Sequence, residues 1–244
     1  MSLARHTTLA LKLALSPLLL AQALQTRRRL PRLPEAAGPR RGRVGDGTGR
    51  LGLLIVGDSS AAGVGVTSQD DALAGCLSRA LAQRLGLSVH WQLCARSGIT
   101  SAQACELVAE ADAADVAVVV TGVNDVVDQV RPATAIAARG QLVQALVQRT
   151  GARQVVMTPV PPMHRFSGLP QPLRWVAGRD AAAHERALAG WAQVQPGVSH
   201  LRFDLPLDDP SMLARDGFHP AAPLYRLWGD ALAEHIATAV RRGM

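Results

Sequence analysis

Lysine is almost missing from this sequence. Lys12 is the single one among 26 basic residues, which removes a phosphate-gripping P-loop lysine and a Schiff-base lysine from consideration. Cysteine is scarce as well. Cys76, Cys94 and Cys105 are odd in number and show no paired spacing, so a disulfide framework is not expected and a reducing compartment is favoured. There is no Cys-x-x-Cys pair and no His-Glu-x-x-His helix, so neither a metal site nor a cofactor is implied. Aromatic residues make up 3% of the chain, which leaves little for sugar-stacking platforms. Net charge is lacking where a core would form. Residues 1–50 hold ten of the 26 basic and two of the 19 acidic residues, leaving sixteen and seventeen for residues 51–244. The basic character therefore belongs to an N-terminal arm, and a nucleic-acid-binding domain is not supported.

What is present suits one substantial core with an appendage. Hydrophobic residues at 48% and a mean hydropathy of +0.11 argue against disorder. From Thr8 to Leu24 the arm is mostly Leu and Ala, interrupted by Lys12, Ser16 and Pro17. Arg5, Thr8, Lys12 and Ser16 recur at helical spacing, which places them on one narrow polar stripe of an otherwise apolar helix. This predicts an interfacial helix or a weak membrane span within residues 1–30, with an anionic membrane surface as its partner. Arg27, Arg28 and Arg29 follow, and this basic excess favours a cytoplasmic location for what comes after, peripheral on the inner membrane. A cleaved signal peptide is the competing account, with Ala21-Gln22-Ala23 imitating a cleavage site. Lys12 breaks its apolar core, and arginines crowd the mature side. A Pro/Gly/Arg-rich linker runs from Pro31 to about Arg50. The expected division is thus an arm over 1–50 and a globular domain over 51–244 that folds without it.

Five short aliphatic runs follow: Leu51 to Val56, Val89 to Cys94, Val116 to Thr121, Gln154 to Thr158 and Val198 to Phe203. Helical stretches separate them. Ser68 is a candidate cap for a helix reaching Leu85, and others span about Ser101 to Ala111 and Pro132 to Arg149, with Gly151 just past its end. A Pro-rich loop from Pro159 to Pro172 leads into a helix that Pro196 terminates, and the last runs from about Pro223 to Arg241. Aliphatic strands alternating with helices call for a buried parallel sheet. The expected fold is a three-layer α/β/α sandwich on a five-stranded parallel sheet with flavodoxin-like strand order.

In such sheets, ligand sites collect at the carboxyl edge. The first run ends in Gly57-Asp58-Ser59, a loop with Gly98 follows the second, and Gly122-Val123-Asn124-Asp125 follows the third. Asp216-Gly217-Phe218-His219 precedes the last helix. Singly, each suits an ordinary turn or helix entry. In this order and at one edge, the four blocks make the span from about Leu51 to Arg242 resemble the SGNH hydrolases, the GDSL-type esterases and lipases. Ser60 stands where the name-giving motif has leucine, a position that is not catalytic in that family.

The resemblance implies a serine hydrolase that cleaves carboxylic esters through an acyl-enzyme, as an esterase or lysophospholipase. Ser59 would be the nucleophile, His219 the base that accepts its proton, and Asp216 the carboxylate that orients the imidazole. The Ser59 and Gly98 N–H groups and the Asn124 amide would form the oxyanion hole. The substrate would be a small-molecule or lipid ester. An O-acyltransferase or carbohydrate deacetylase would use the same triad, and a non-catalytic membrane-tethered α/β module would use Ser59 only as a turn residue. His6, His90, His184, His200 and His235 fall on helices or strands and are expected to be structural, and Cys94 to pack as a small apolar residue. The loop carrying Pro161, Pro162, Met163, His164, Phe166 and Leu169 is a candidate wall for the acyl pocket.

Overall fold

In the computed structural model the backbone is described for residues 3–243 and side chains for residues 14–243. The polar stripe of Arg5, Thr8 and Lys12, and the side chain of His6, lie outside the described side chains. The chain order is α1 (Leu3–Arg29), β1 (Arg41–Val44), β2 (Arg50–Gly57), α2 (Leu73–Leu85), β3 (Ser88–Ala95), α3 (Ala104–Leu107), β4 (Val116–Val120), α4 (Val123–Val127), α5 (Pro132–Thr150), β5 (Gln154–Met157), α6 (Leu173–Ala192), β6 (Val198–His200) and α7 (Ala222–Arg241).

The sheet has six strands in the order β1-β3-β2-β4-β5-β6. Its five parallel strands keep the flavodoxin-like order, with the first in sequence lying between the second and third. The sixth corrects the expected count. Arg41 to Val44 pairs antiparallel with β3, Arg41 opposite Gln92 and Val44 opposite Val89. The sequence Arg-Gly-Arg-Val reads as linker because three of its four residues are exposed, and such a strand is held by backbone pairing rather than by an apolar pattern.

Burial explains the rest. Leu53, Leu54, Ile55 and Val56 are all at most 1% exposed, as a strand covered on both faces requires. Alternate residues divide between two cores. Leu53 and Ile55 face α2 and α7 through Leu77, Leu81, Leu232 and Ile236, while Leu54 and Val56 face the layer of α3, α5 and α6 with Leu142, Leu146 and Leu188. Gly151 ends α5 in the left-handed conformation at φ 73°, as expected of a C-terminal glycine. Ser68 is not the cap of α2. Its Oγ accepts from Asp70 N–H at 3.2 Å, and a turn through Ala72 delays the helix to Leu73. The helix expected over Ser101 to Ala111 shortens to α3 with a 3₁₀ turn at Val108–Glu110.

The arm is joined to this body. Along α1, Leu15, Leu19, Gln22, Thr26 and Leu30 are half-buried at helical spacing, and the residues between them are exposed. Gln22 Nε2 donates to Gln171 O at 2.7 Å, and Gln22 Oε1 accepts from Leu173 N–H at 3.1 Å, which fastens α1 to the start of α6. Among the described residues no helix is long and apolar enough to cross a membrane.

Candidate active site

β2 delivers Ser59 to the carboxyl edge of the sheet. Its last residue, Gly57, lies so close to β4 that a Cβ would stand 2.3 Å from Val120 O, and the turn beyond closes through Ala62 N–H to Asp58 O at 2.9 Å and Val64 N–H to Ser59 O at 3.0 Å. The buried Tyr225 hydroxyl donates to Val64 O at 2.8 Å, tying this turn to α7. A hydroxyl is thus held at the sheet edge by backbone that has little freedom to shift.

The segment before α7 meets it. Asp216 Oδ1 accepts from the N–H groups of Phe218 and His219, both at 3.0 Å, and Asp216 Oδ2 accepts from His219 Nδ1 at 2.6 Å. With that proton on Nδ1, Nε2 is an acceptor, and it lies 3.0 Å from Ser59 Oγ. Burial would raise the Asp216 carboxyl, but the hydrogen bonds and charge of His219 outweigh it and hold the group below the usual carboxylate range. The result is a serine hydroxyl, an imidazole in one tautomer and an ionised carboxylate in line.

Gly98 and Asn124 lie on the loop after β3 and at the start of α4. Gly98 takes φ +81° with open space around it, a backbone conformation that favours glycine. Asn124 Nδ2 donates to Ile99 O at 2.9 Å and faces Asp58 Oδ2 at 3.5 Å. The loops after β2, β3 and β4 are therefore in contact. Two carboxylates that motif reading left without a role lie among them. Asp58 is buried, and that burial pushes its pKa up to about 7, against the pull of the Ser60 N–H and His219 and with a further push from Asp125. Asp125, 1% exposed, accepts from Ser101 N–H at 3.0 Å and Ser101 Oγ at 2.5 Å, and pairs with the equally buried Arg139 at 3.2 Å. Arg139 Nη2 also donates to Thr121 O at 3.3 Å. Asp125 is adjacent to Asn124 in sequence, which was the available signal; Arg139, in the middle of a helix, carried none.

A narrow cavity of about 50 Å³ opens beside Ser59, with Val120, Phe166, Leu205, Phe218, Leu224 and Trp228 among its walls. By the space one water needs, that is room for roughly three or four waters or a short aliphatic chain. Phe166 meets Phe218 edge to face with centroids 4.9 Å apart, and Phe218 meets the His219 ring at 5.2 Å. Of the expected loop residues, Pro161 and Phe166 line the cavity. Met163 and Leu169 are in the core, and His164 lines a separate groove with Arg165 and Arg174. The 205–224 walls were not legible in the sequence, since that stretch has no periodic pattern.

Three of the other described histidines contact neighbouring groups. His184 contacts Val130 O at 3.0 Å, His200 lies 3.0 Å from Glu185, and His235 contacts Ser199 Oγ at 2.8 Å; His90 lies on β3. Cys94 is buried, and burial pushes its thiol up to about 11. Among the described residues no group of three or more His, Cys, Asp or Glu side chains is placed to hold a metal ion.

Residues 55–227 match the sequence pattern of the GDSL-like lipase/acylhydrolase family. A GDSL-like esterase of Mycobacterium tuberculosis is 30% identical over 197 residues, covering 74% of this chain and 60% of that relative, so the chain spans less than two thirds of its length. Among solved structures, TesA superposes with a TM-score of 0.61 at 24% identity, covering 76% of this chain and 97% of that one. The psychrotrophic esterase EstA from Pseudoalteromonas superposes at 0.58 and 16% identity, covering 78% and 99%. These likenesses in structure establish the fold.

Proposed function

This chain belongs to the GDSL-like lipase/acylhydrolase family, and on that footing we propose that it is a carboxylic ester hydrolase working through an acyl-enzyme on Ser59. The single observation that carries this reading is the unbroken line Ser59 Oγ, His219 and Asp216 at 3.0 and 2.6 Å. Ser59 Oγ attacks the ester carbonyl carbon as its proton passes to His219 Nε2, while Asp216 stabilises the imidazolium. The carbonyl oxygen becomes an oxyanion, for which the Ser59 and Gly98 N–H groups and Asn124 Nδ2 are the donors. Ile99 O holds one Asn124 hydrogen, and the other, stretched towards Asp58, is the one to exchange for the oxyanion. Collapse expels the alcohol with the proton from His219, and water then repeats the sequence to release the acid.

The apolar cavity takes the acyl group, and its size favours short acyl chains over the long ones of lysophospholipids. Three of the chain's eight aromatic residues, Phe166, Phe218 and Trp228, are spent on its walls. Ser59→Ala and His219→Ala are expected to remain folded with hydrolysis of short-chain nitrophenyl esters at background. A Ser59→Ala variant retaining more than a few per cent of the wild-type rate would overturn the assignment.

A second reading concerns location. Leu20 and Leu24, four residues apart on the side of α1 turned away from the body, are 63% and 49% exposed, and Arg27, Arg28 and Arg29 follow in its last turn. An apolar face ending in cations suits a helix lying on an anionic bilayer. We propose peripheral membrane contact through α1, independent of acyl specificity.

A further inference from the structure

The family match begins at residue 55, yet the chain before it touches the loops that carry the proposed chemistry. Leu30 lies against Gly168, whose N–H donates to Gly217 O at 3.0 Å, beside Asp216. The next residues cross the nucleophile turn: Ala36 N–H donates to Ala62 O at 3.2 Å, and Gln69 Nε2 donates to both Ala36 O and Ala62 O, at 3.1 and 3.0 Å. Glu35 reaches the loop after β3. Its Oε1 accepts from Ser97 N–H at 2.8 Å and from Ser97 Oγ at 2.7 Å. Arg40 pairs with Glu35 and donates through Nη1 to Ala95 O at 2.6 Å, and β1 then joins the sheet at β3.

The Ser97 N–H that Glu35 holds belongs to the Arg96–Ser97 peptide, one residue before the peptide that carries the Gly98 N–H. The loop between Arg96 and Ser101 is therefore fixed at both ends by carboxylates, Ser101 by buried Asp125 and Ser97 by Glu35. Between them Gly98 carries the left-handed turn that aims its N–H. A donor contributes to an oxyanion hole only if its direction is set before the charge appears. Asp125 comes from within the matched domain, whereas Glu35 comes from outside it. Burial would raise the Glu35 carboxyl, but its bonds from Ser97 and the charge of Arg40 hold it below the usual value, so it is ionised at neutral pH.

We propose that residues 30–44 are a strap that positions the oxyanion loop, with Glu35 as the positioning residue that holds Ser97 where the chain enters Gly98. The inference rests on the oxyanion role given to Gly98 above. Glu35 touches no reacting atom, so its removal acts on the transition state and leaves substrate binding in place.

The test uses full-length protein and a short-acyl trifluoromethyl ketone, which forms a tetrahedral adduct on the nucleophile. Glu35→Ala should lower kcat by about ten- to a hundredfold, as a misaimed catalytic group does, with KM within twofold of wild type. Its Ki for the ketone should rise in proportion to the fall in kcat/KM, and Glu35→Gln, which keeps an acceptor for Ser97, should recover most of the loss. If Glu35→Ala does not fold, Glu35→Gln and Ser97→Ala carry the same comparison with smaller effects in the same proportion. A Glu35→Ala protein with kcat within twofold of wild type, or one whose loss follows its unfolded fraction with Ki unchanged, overturns the strap. Wild-type protein inert to every ester and to fluorophosphonate would overturn the hydrolase reading as well.

Discussion

Asp58 is a buried carboxyl next to Ser59. It faces Asn124 Nδ2 at 3.5 Å and accepts the Ser60 N–H at 3.0 Å. A pKa pushed from 3.8 to about 7 means that the folded protein retains a proton that the unfolded chain has released. Stability then declines as pH rises from about 4 to about 7 and levels off above, because the unfolded state binds fewer protons throughout that window. Asp58→Asn keeps the acceptor for Ser60 and removes the titration. Melting temperatures of the variant and wild type should converge near pH 4 and separate in favour of the variant by pH 8. Parallel curves would contradict the assignment. The adjacent serine was legible in the sequence because strand, glycine and serine are contiguous; the burial of Asp58 was not, since it depends on loops from two other strands.

At the scale of elements, the buried Asp125–Arg139 pair joins α4, the β3–α3 loop and α5. Removing one member of a buried pair leaves the other charge uncompensated, which costs about 3 to 5 kcal/mol. Asp125→Ala should therefore lower the urea midpoint sharply, with Asp125→Ala/Arg139→Met recovering part of the loss; a single variant as stable as wild type would remove the pair from the account. β2 and β4 were readable as largely aliphatic runs, β3 despite His90 and Gln92 within it and β5 from its two valines, and the candidate site blocks as polar residues where those runs end. β1 was not, because three of its four residues face solvent and its pairing is a property of the backbone. Glu35 was equally hidden. It lies 62 residues from Ser97 within a proline- and arginine-rich stretch, and no local pattern distinguishes an anchored carboxylate from a solvated one.

At the scale of the molecule, the sequence suggests a domain beginning near Arg50, whereas contacts with the body run back to Gln22 on α1, and those with the candidate site loops to Leu30. We place the functional boundary between α1 and the strap. Deleting residues 1–29 should leave a folded, active enzyme that no longer binds anionic vesicles, and full-length protein should bind them less as salt rises. Deleting residues 1–49 should also cost activity, since β1 and Glu35 go with it. Full-length protein that ignores anionic vesicles at low salt would contradict the membrane role of α1, and full activity without residues 1–49 would contradict the boundary.

All of these expectations depend on Ser59 being a nucleophile activated by His219. Mass spectrometry of the intact protein after fluorophosphonate treatment, with peptide mapping of the adduct, tests that most directly. The expected result is one phosphonyl group per chain, on Ser59, and none on His219→Ala over the same time. An unmodified wild-type protein, or an adduct on any other residue, would contradict it.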